Sequence, residues 1–219
     1  MPRDKAMVVG STGLVGKSLV THLIEDRVRV KALLRNDKVS SDPILDYIRV
    51  NFDNLQLPAE TFSDIQDLYI CLGTTIKEAG SKEAFQKVDI QYCVDIAEEA
   101  QKNGVKNISI ITSLGSDSKS SNFYLKTKGL VEEQISALDF DSISIYRPGL
   151  LIGSREEVRT GELLGQNIYP VLINPLLRGR LRKYRSINAN TLAKAMKRLS
   201  GFKEGVSFYY FDDFIKNAI

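Results

Sequence analysis

Ala6-Met7-Val8-Val9-Gly10-Ser11-Thr12-Gly13-Leu14-Val15-Gly16 is the stretch that decides the fold of this chain. Four apolar residues run straight into three evenly spaced glycines, and a helix-period segment from Leu14 to Glu25 follows. In a strand, turn and helix unit of this kind, glycine permits a tight turn and close backbone approach. The unsatisfied amides at the start of the helix then form a site for an anionic group.

Outward from that unit, apolar runs bounded by turn residues alternate with helix-period segments. Arg29 to Leu34 reads as a second strand, Ile48 to Phe52 as a third and Leu68 to Leu72 as a fourth. Gly73-Thr74-Thr75 and a long helix follow, with Ile90, Cys93, Val94, Ala97 and Ala100 at helical spacing. Asn107 to Thr112 is a fifth strand, a helix carrying Tyr124 and Lys128 comes next, and Ser142 to Tyr146 is a sixth, ended by Arg147-Pro148-Gly149. The alternation predicts an α/β fold, a doubly wound parallel sheet of Rossmann type. Residues 1–219 are expected to form a single domain, with 154–185 as a small C-terminal substrate lobe where two prolines loosen the pattern. Thr191 to Leu199 reads as a helix. Val206 to Phe211 reads as an edge strand whose pairing does not follow from sequence.

At 219 residues the chain is long enough for one sizeable core. Thirty Lys and Arg against 27 Asp and Glu give a net charge of +3, too balanced to imply nucleic acid as a partner. Cys71 and Cys93 lack metal-ligand spacing and read as buried apolar side chains in a reduced compartment. His22, the only histidine, reads as a packing or surface residue, and no metal site is expected. No run of about 18 apolar residues suggests a membrane span, so the expectation is a soluble cytoplasmic protein. Helices on the faces of such a sheet often pair subunits, which makes a homo-oligomer possible.

The expected ligand is a dinucleotide. Its pyrophosphate would lie on Gly10, Ser11, Thr12, Gly13, Leu14 and Val15, although the glycine spacing departs from G-x-G-x-x-G. NAD sites place an acidic residue after the second strand for the ribose 2′-hydroxyl. Here Arg35 stands there, a guanidinium suited to a 2′-phosphate, so NADP is expected over NAD, with Lys38 as a helper. Asp53 is a candidate for the adenine amino group, and Gly73, Thr74 and Thr75 let the backbone pass close to the adenosine. Arg147 and Pro148 fit a loop touching the cofactor near its nicotinamide.

Tyr124 and Lys128 lie four residues apart, on one face of a helix. Reduction of a carbonyl by hydride needs a proton for the nascent alkoxide. A phenol can supply it, and a neighbouring ammonium favours the phenolate of a group whose ordinary pKa is about 10. A hydroxyl from the end of the fifth strand would complete the pocket; Ser113 is the first choice, Thr112 the second, and Ser116 also competes. Asp89 is expected to face solvent. The basic run Arg178 to Arg185 reads as a solvated loop, with an acidic substrate group, a phosphate or a nucleic-acid backbone as the alternative ligand.

Together Gly10 to Gly16, Cys71-Leu72-Gly73-Thr74-Thr75, the stretch from Ser113 through Tyr124 to Glu133, and Arg147-Pro148-Gly149 resemble the short-chain dehydrogenase/reductase superfamily in its atypical branch. Within it, the chain is most similar to the Tat-interacting-protein-like oxidoreductase family. The resemblance covers nearly the whole chain and thins after Gly165. It implies a Rossmann-type fold, NADPH at the glycine turn and Arg35, and the roles given above to Ser113, Tyr124 and Lys128. The expected function is NADPH-dependent reduction of a small carbonyl compound. The alternative is an NADP(H)-binding regulatory or scaffold protein without significant turnover, since regulatory binding is also associated with that family.

Overall fold

The computed structural model describes residues 4–153 and 174–218. Most of the expected substrate-lobe segment, 154–173, therefore lies outside the described residues. Strands β1 (Lys5–Val9), β2 (Arg29–Leu34), β3 (Leu45–Arg49), β4 (Asp67–Ile70), β5 (Asn107–Ile111) and β6 (Ser142–Tyr146) are followed by a short pair, β7 (Leu151–Ile152) and β8 (Ile187–Asn188). The last strand is β9 (Gly205–Tyr209). Among the described residues the main sheet has seven strands in the order β3-β2-β1-β4-β5-β6-β9, all parallel. The order reverses direction between β1 and β4, the place where doubly wound sheets open a crevice at their carboxyl ends.

Parallel strands buried on both faces read as continuous apolar runs, and β4 and β6 are buried at every position. Their side chains alternate between two cores. On one face Ala6, Val8, Tyr69 and Tyr146 pack against Leu19 and Leu23 of helix α1 (Leu14–Glu25). On the other, Met7, Val9, Leu68, Ile70, Ile108 and Ile145 meet Ile96 and Ala97 of the helix Tyr92–Lys102 and Val131 and Ile135 of the helix Phe123–Ser136. Between α1 and these two helices stand short segments α2 (Ile76–Ala79) and α3 (Lys82–Gln86), so the longer pair are α4 and α5. Then α6 (Ala189–Leu199) brings Leu192 and Met196, and α7 (Phe211–Asn217) brings Phe214, to the first core.

Two elements differ from the sequence expectation, and a pairing that the sequence leaves open is supplied by the fold. The third strand begins at Leu45 and ends at Arg49, because its partner β2 runs only from Arg29 to Leu34 and the ladder closes with Val50 N–H donating to Leu34 O at 2.7 Å. Val50 and Phe52, which suggested the strand, are buried beyond its end in the second core. The long helix expected around Ile90 is interrupted: a π-helical turn, Lys87–Gln91, joins α3 to α4. The last strand, whose partner sequence leaves open, pairs parallel to β6 after the α6 crossover, which a parallel connection requires.

Helix α5 starts at Asn122, whose side chain accepts the Leu125 N–H at 3.1 Å, a standard N-cap. It packs directly on the loop before it, for a Cβ added at Gly129 would stand 2.1 Å from the Ser118 nitrogen. Gly129→Ala should therefore force helix and loop apart and destabilise the protein by about 1–3 kcal/mol, read as a lower urea midpoint at unchanged slope.

Candidate functional site

The glycine turn is built by close approach. Gly10 has φ +81°, and a Cβ there would meet the Cys71 carbonyl oxygen at 2.5 Å; one on Gly16 would meet the Gly10 oxygen at 2.1 Å. The turn closes with Gly13 N–H donating to Gly10 O at 3.0 Å. Helix α1 is capped by Gly13, which offers no side-chain acceptor, and its first turn has no acidic residue. Its leading amides thus face an open cleft with the positive end of the helix dipole, with no side-chain cap and no first-turn acid among the described residues to neutralise it.

That cleft, about 1160 Å³, lies over the carboxyl ends of β1, β4 and β5. Thr12, Gly13, Leu14 and Val15 form one wall and Gly73, Thr74 and Thr75 a second. Thr112, Ser113, Tyr124, Lys128 and Pro148 line the opposite side. Gly10 and Ser11 stand behind the turn, and the Ser11 hydroxyl is buried with no hydrogen-bond partner among the described residues. The uncapped helix end and a turn that only glycine can form fit a dinucleotide pyrophosphate.

Of the three competing hydroxyls, two are committed elsewhere. Thr112 Oγ1 donates to Glu132 at 2.6 Å, and Ser116 Oγ donates to the Ser113 carbonyl at 2.7 Å. Among the described residues Ser113 Oγ has only a 3.5 Å contact with the Leu114 carbonyl, and Ser113 lines the cleft. Tyr124, 38% exposed, stands at the first turn of α5 with its ring against Phe85. The Lys128 ammonium lies 6.0 Å from the centre of that ring.

Lys128 is itself buried, and its ammonium contacts Asp89 Oδ1 at 2.5 Å. Asp89 is 1% exposed, not solvent-facing as expected, and its second oxygen accepts the Thr74 N–H at 3.2 Å. Burial works against the charged form of Lys128, but the Asp89 carboxylate outweighs it and leaves the lysine pKa above its ordinary value. The same helix face buries Cys93, whose thiol burial pushes up to about 12, so no thiolate nucleophile stands there. A sequence signal for Asp89 existed: it sits four residues from both Phe85 and Cys93, a carboxylate on an apolar helix face. π turns, moreover, are frequent at functional sites.

The remaining predicted residues lie elsewhere. Arg147 is not on the cleft wall; it grips buried Glu132 through Nε at 2.9 Å and a terminal nitrogen at 2.5 Å, and stacks on Phe208. Its hydrogen bonds to Glu132 chiefly hold the guanidinium pKa up. The reason is that a buried carboxylate claims the nearest cation, leaving Pro148 alone of that loop pair in the cleft. Arg35 and Asp53 line a separate cavity of about 290 Å³ with Arg49, Asn51, Phe52 and Tyr92. Asp53 pairs with Lys87 and accepts the Tyr92 hydroxyl, each at 2.6 Å, and these bonds hold its carboxyl below the usual range. Lys38, expected beside Arg35, lies instead over the Tyr47 ring at 4.7 Å. His22 is largely buried between Glu25 and Asn190. Among the described residues no cluster of His, Cys, Asp or Glu could hold a metal ion, and no helix is long and apolar enough to cross a membrane.

A seven-stranded parallel sheet with a glycine turn at its switch point defines a nucleotide-binding protein of the Rossmann class. A family model described as NAD(P)H-binding matches residues 10–165, and the chain belongs to that family. It is 32% identical to the protein HTATIP2 of Rattus norvegicus over 174 residues, 77% of this chain and 72% of that one. It is 30% identical to the mitochondrial protein FMP52 of Candida albicans over 226 residues, 96% of each. Among solved structures it resembles MoeE5 in complex with UDP-glucose and NAD, with a TM-score of 0.70, 13% identity, and coverage of 97% of this chain and 80% of that one. A putative NAD-dependent epimerase/dehydratase from Bacillus halodurans gives 0.62 at 23% identity, covering 89% and 86%. At those identities the structures speak for the fold alone. The FMP52 relatives are named as mitochondrial, which overturns the cytoplasmic expectation. Sparse cysteines bear on reducing against oxidising surroundings and a missing long apolar run on membrane spans, and neither carries information about the mitochondrion.

Breaking the buried Lys128–Asp89 pair changes how stability depends on pH. The Lys128 contribution in the intact protein is fully present below the ordinary lysine pKa of about 10.4 and is lost as pH rises through its higher folded value. Asp89→Asn leaves the ammonium buried without a counter-charge, costing about 3–5 kcal/mol near pH 7. With burial alone acting on the lysine, the variant should gain stability as pH rises towards 10 while the wild type does not. Urea unfolding from pH 7 to 10 should show the gap narrowing.

Proposed function

We propose that the protein is an NADPH-dependent oxidoreductase that reduces a small carbonyl compound. One observation carries this: Ser113, Tyr124 and Lys128 line the same cleft as the uncapped, glycine-built start of α1. In this proposal the amides of Gly13, Leu14 and Val15 hold the pyrophosphate, Gly73 to Thr75 flank the adenosine side, and Arg35 takes the 2′-phosphate. Bound NADPH supplies a hydride to the carbonyl carbon. Ser113 Oγ–H and the Tyr124 hydroxyl orient and polarise the carbonyl oxygen, and Tyr124 donates its proton to the alkoxide that forms. Lys128, fixed by Asp89, holds positive charge beneath the phenol and beside the ribose position. The similarity to oxidoreductase-like NAD(P)H-binding relatives supports the class of reaction.

A second reading, an NADP(H)-binding regulatory protein without significant turnover, draws on one feature. The Lys128 charge that would favour a phenolate is already matched by Asp89 at 2.5 Å.

NADPH oxidation over a panel of aldehydes, ketones and quinones separates the two. Tyr124→Phe should lower kcat by about 10²–10⁴-fold while NADPH binding, followed by its fluorescence, stays essentially unchanged. Undiminished turnover in that variant removes Tyr124 from the chemistry, and no turnover across the panel with NADPH bound supports the regulatory reading.

A further inference from the structure

The small cavity that Arg35 and Asp53 line contains a second arginine that no motif marks, Arg49. Arg49 ends β3 opposite Leu34, the last residue of β2, and it lines the same cavity as Arg35. Two guanidiniums therefore line a cavity of about 290 Å³, while Lys38 is drawn away onto Tyr47. Such a pair suits a dianion, because planar forks bind phosphate oxygens through several charge-assisted hydrogen bonds.

The carboxylates around this cavity are each held by a cation. Asp53 is bound by Lys87 and Tyr92. Asp37, three residues beyond the end of β2, is bound by Arg49 at 2.8 Å. Asp37 lies in the part of the chain from which NAD-binding proteins of this fold supply the acid for the ribose hydroxyls. Arg35 makes no ion pair among the described residues, while burial and the Asp53 carboxylate push the neighbouring Tyr92 phenol up. Among the described residues Arg35 is thus the cation lining this cavity that has no ion-pair partner.

We propose that Arg49 is a cofactor-specificity residue: it joins Arg35 in holding the 2′-phosphate of NADP(H), and by pairing with Asp37 it keeps that carboxylate from the ribose hydroxyls of NAD. The inference rests on the NADP(H) reading above. When the phosphate arrives, Arg49 turns from an exposed carboxylate to a dianion, an exchange of one partner for a more highly charged one. Because the Arg49–Asp37 pair is solvent-exposed, it costs little to open, and its hold on Asp37 against NAD is correspondingly small, about a few-fold in affinity.

Dissociation constants of the full chain for NADPH and NADH, measured by calorimetry, test this. Arg49→Gln should weaken NADPH binding on the order of tenfold, the loss of a charge-assisted contact, and tighten NADH binding through the released Asp37. Arg49→Lys should fall between, keeping charge without the fork. Asp37→Asn in the Arg49→Gln background should cancel the NADH gain. An unchanged ratio of the two constants in Arg49→Gln overturns the inference, as does equal weakening of both cofactors, which marks a structural role. The underlying reading is judged separately: it fails if the wild type binds NADPH and NADH alike, and stands if Arg35→Gln abolishes a wild-type preference for NADPH.

Discussion

No side chain fits at position 10, and the geometry of the site follows from that. The Cys71 carbonyl stands 2.5 Å from where a Cβ would be, and the φ of +81° is one that other residues rarely adopt. This contact lets the chain leave β1, turn beside β4 and enter α1 with Gly16 seated against the Gly10 carbonyl. A bulkier turn would push α1 off the sheet and bury or misdirect its leading amides. The switch in strand order at β1 and β4 then opens the cleft at the spot where those amides point.

The opposite wall is held by charge. Helix α5 carries Lys128 and Glu132 one turn apart, both buried; the first is paired with Asp89 on the π turn and the second with Arg147 after β6. Buried pairs contribute little net stability against an apolar alternative, because two ions must leave water, but they penalise any arrangement that separates the partners. They therefore act here on position. The Asp89 pair joins α5 to the Thr74 amide across the cleft floor, and the Glu132 pair ties it to β6 and, through Arg147 and Tyr210, to the start of α7. Glu132 also takes the Thr112 hydroxyl, so of these two neighbours on the cleft wall Ser113 is the one not held by a carboxylate.

Local order was legible in the sequence wherever one stretch of chain determines it. The run Ala6 to Val9 with its glycines, the helical spacing of Tyr124 and Lys128, and the succession of strands and helices all depend on neighbours within a few residues, so propensity and periodicity suffice. The expectations that failed depend on distant partners. The end of β3 was set by the length of β2, and the orientation of Asp89 by a lysine 39 residues away. Arg147 went to Glu132 rather than the cleft because a buried carboxylate required it. Arg49, reached only through the β2–β3 register, left no motif at all.

By itself, the sequence determined the class of fold, the place of the glycine turn, and the tyrosine and lysine on one helix face. Each is a short-range property of φ freedom, side-chain period or helix spacing. Only the tertiary structure decided which hydroxyl on the cleft wall is not held by a carboxylate, which carboxylate anchors the lysine, and which second arginine lines a cavity with Arg35. Those choices are made where burial forces each charge and each donor to find a partner, and the partner is chosen by packing across the sheet rather than by adjacency along the chain.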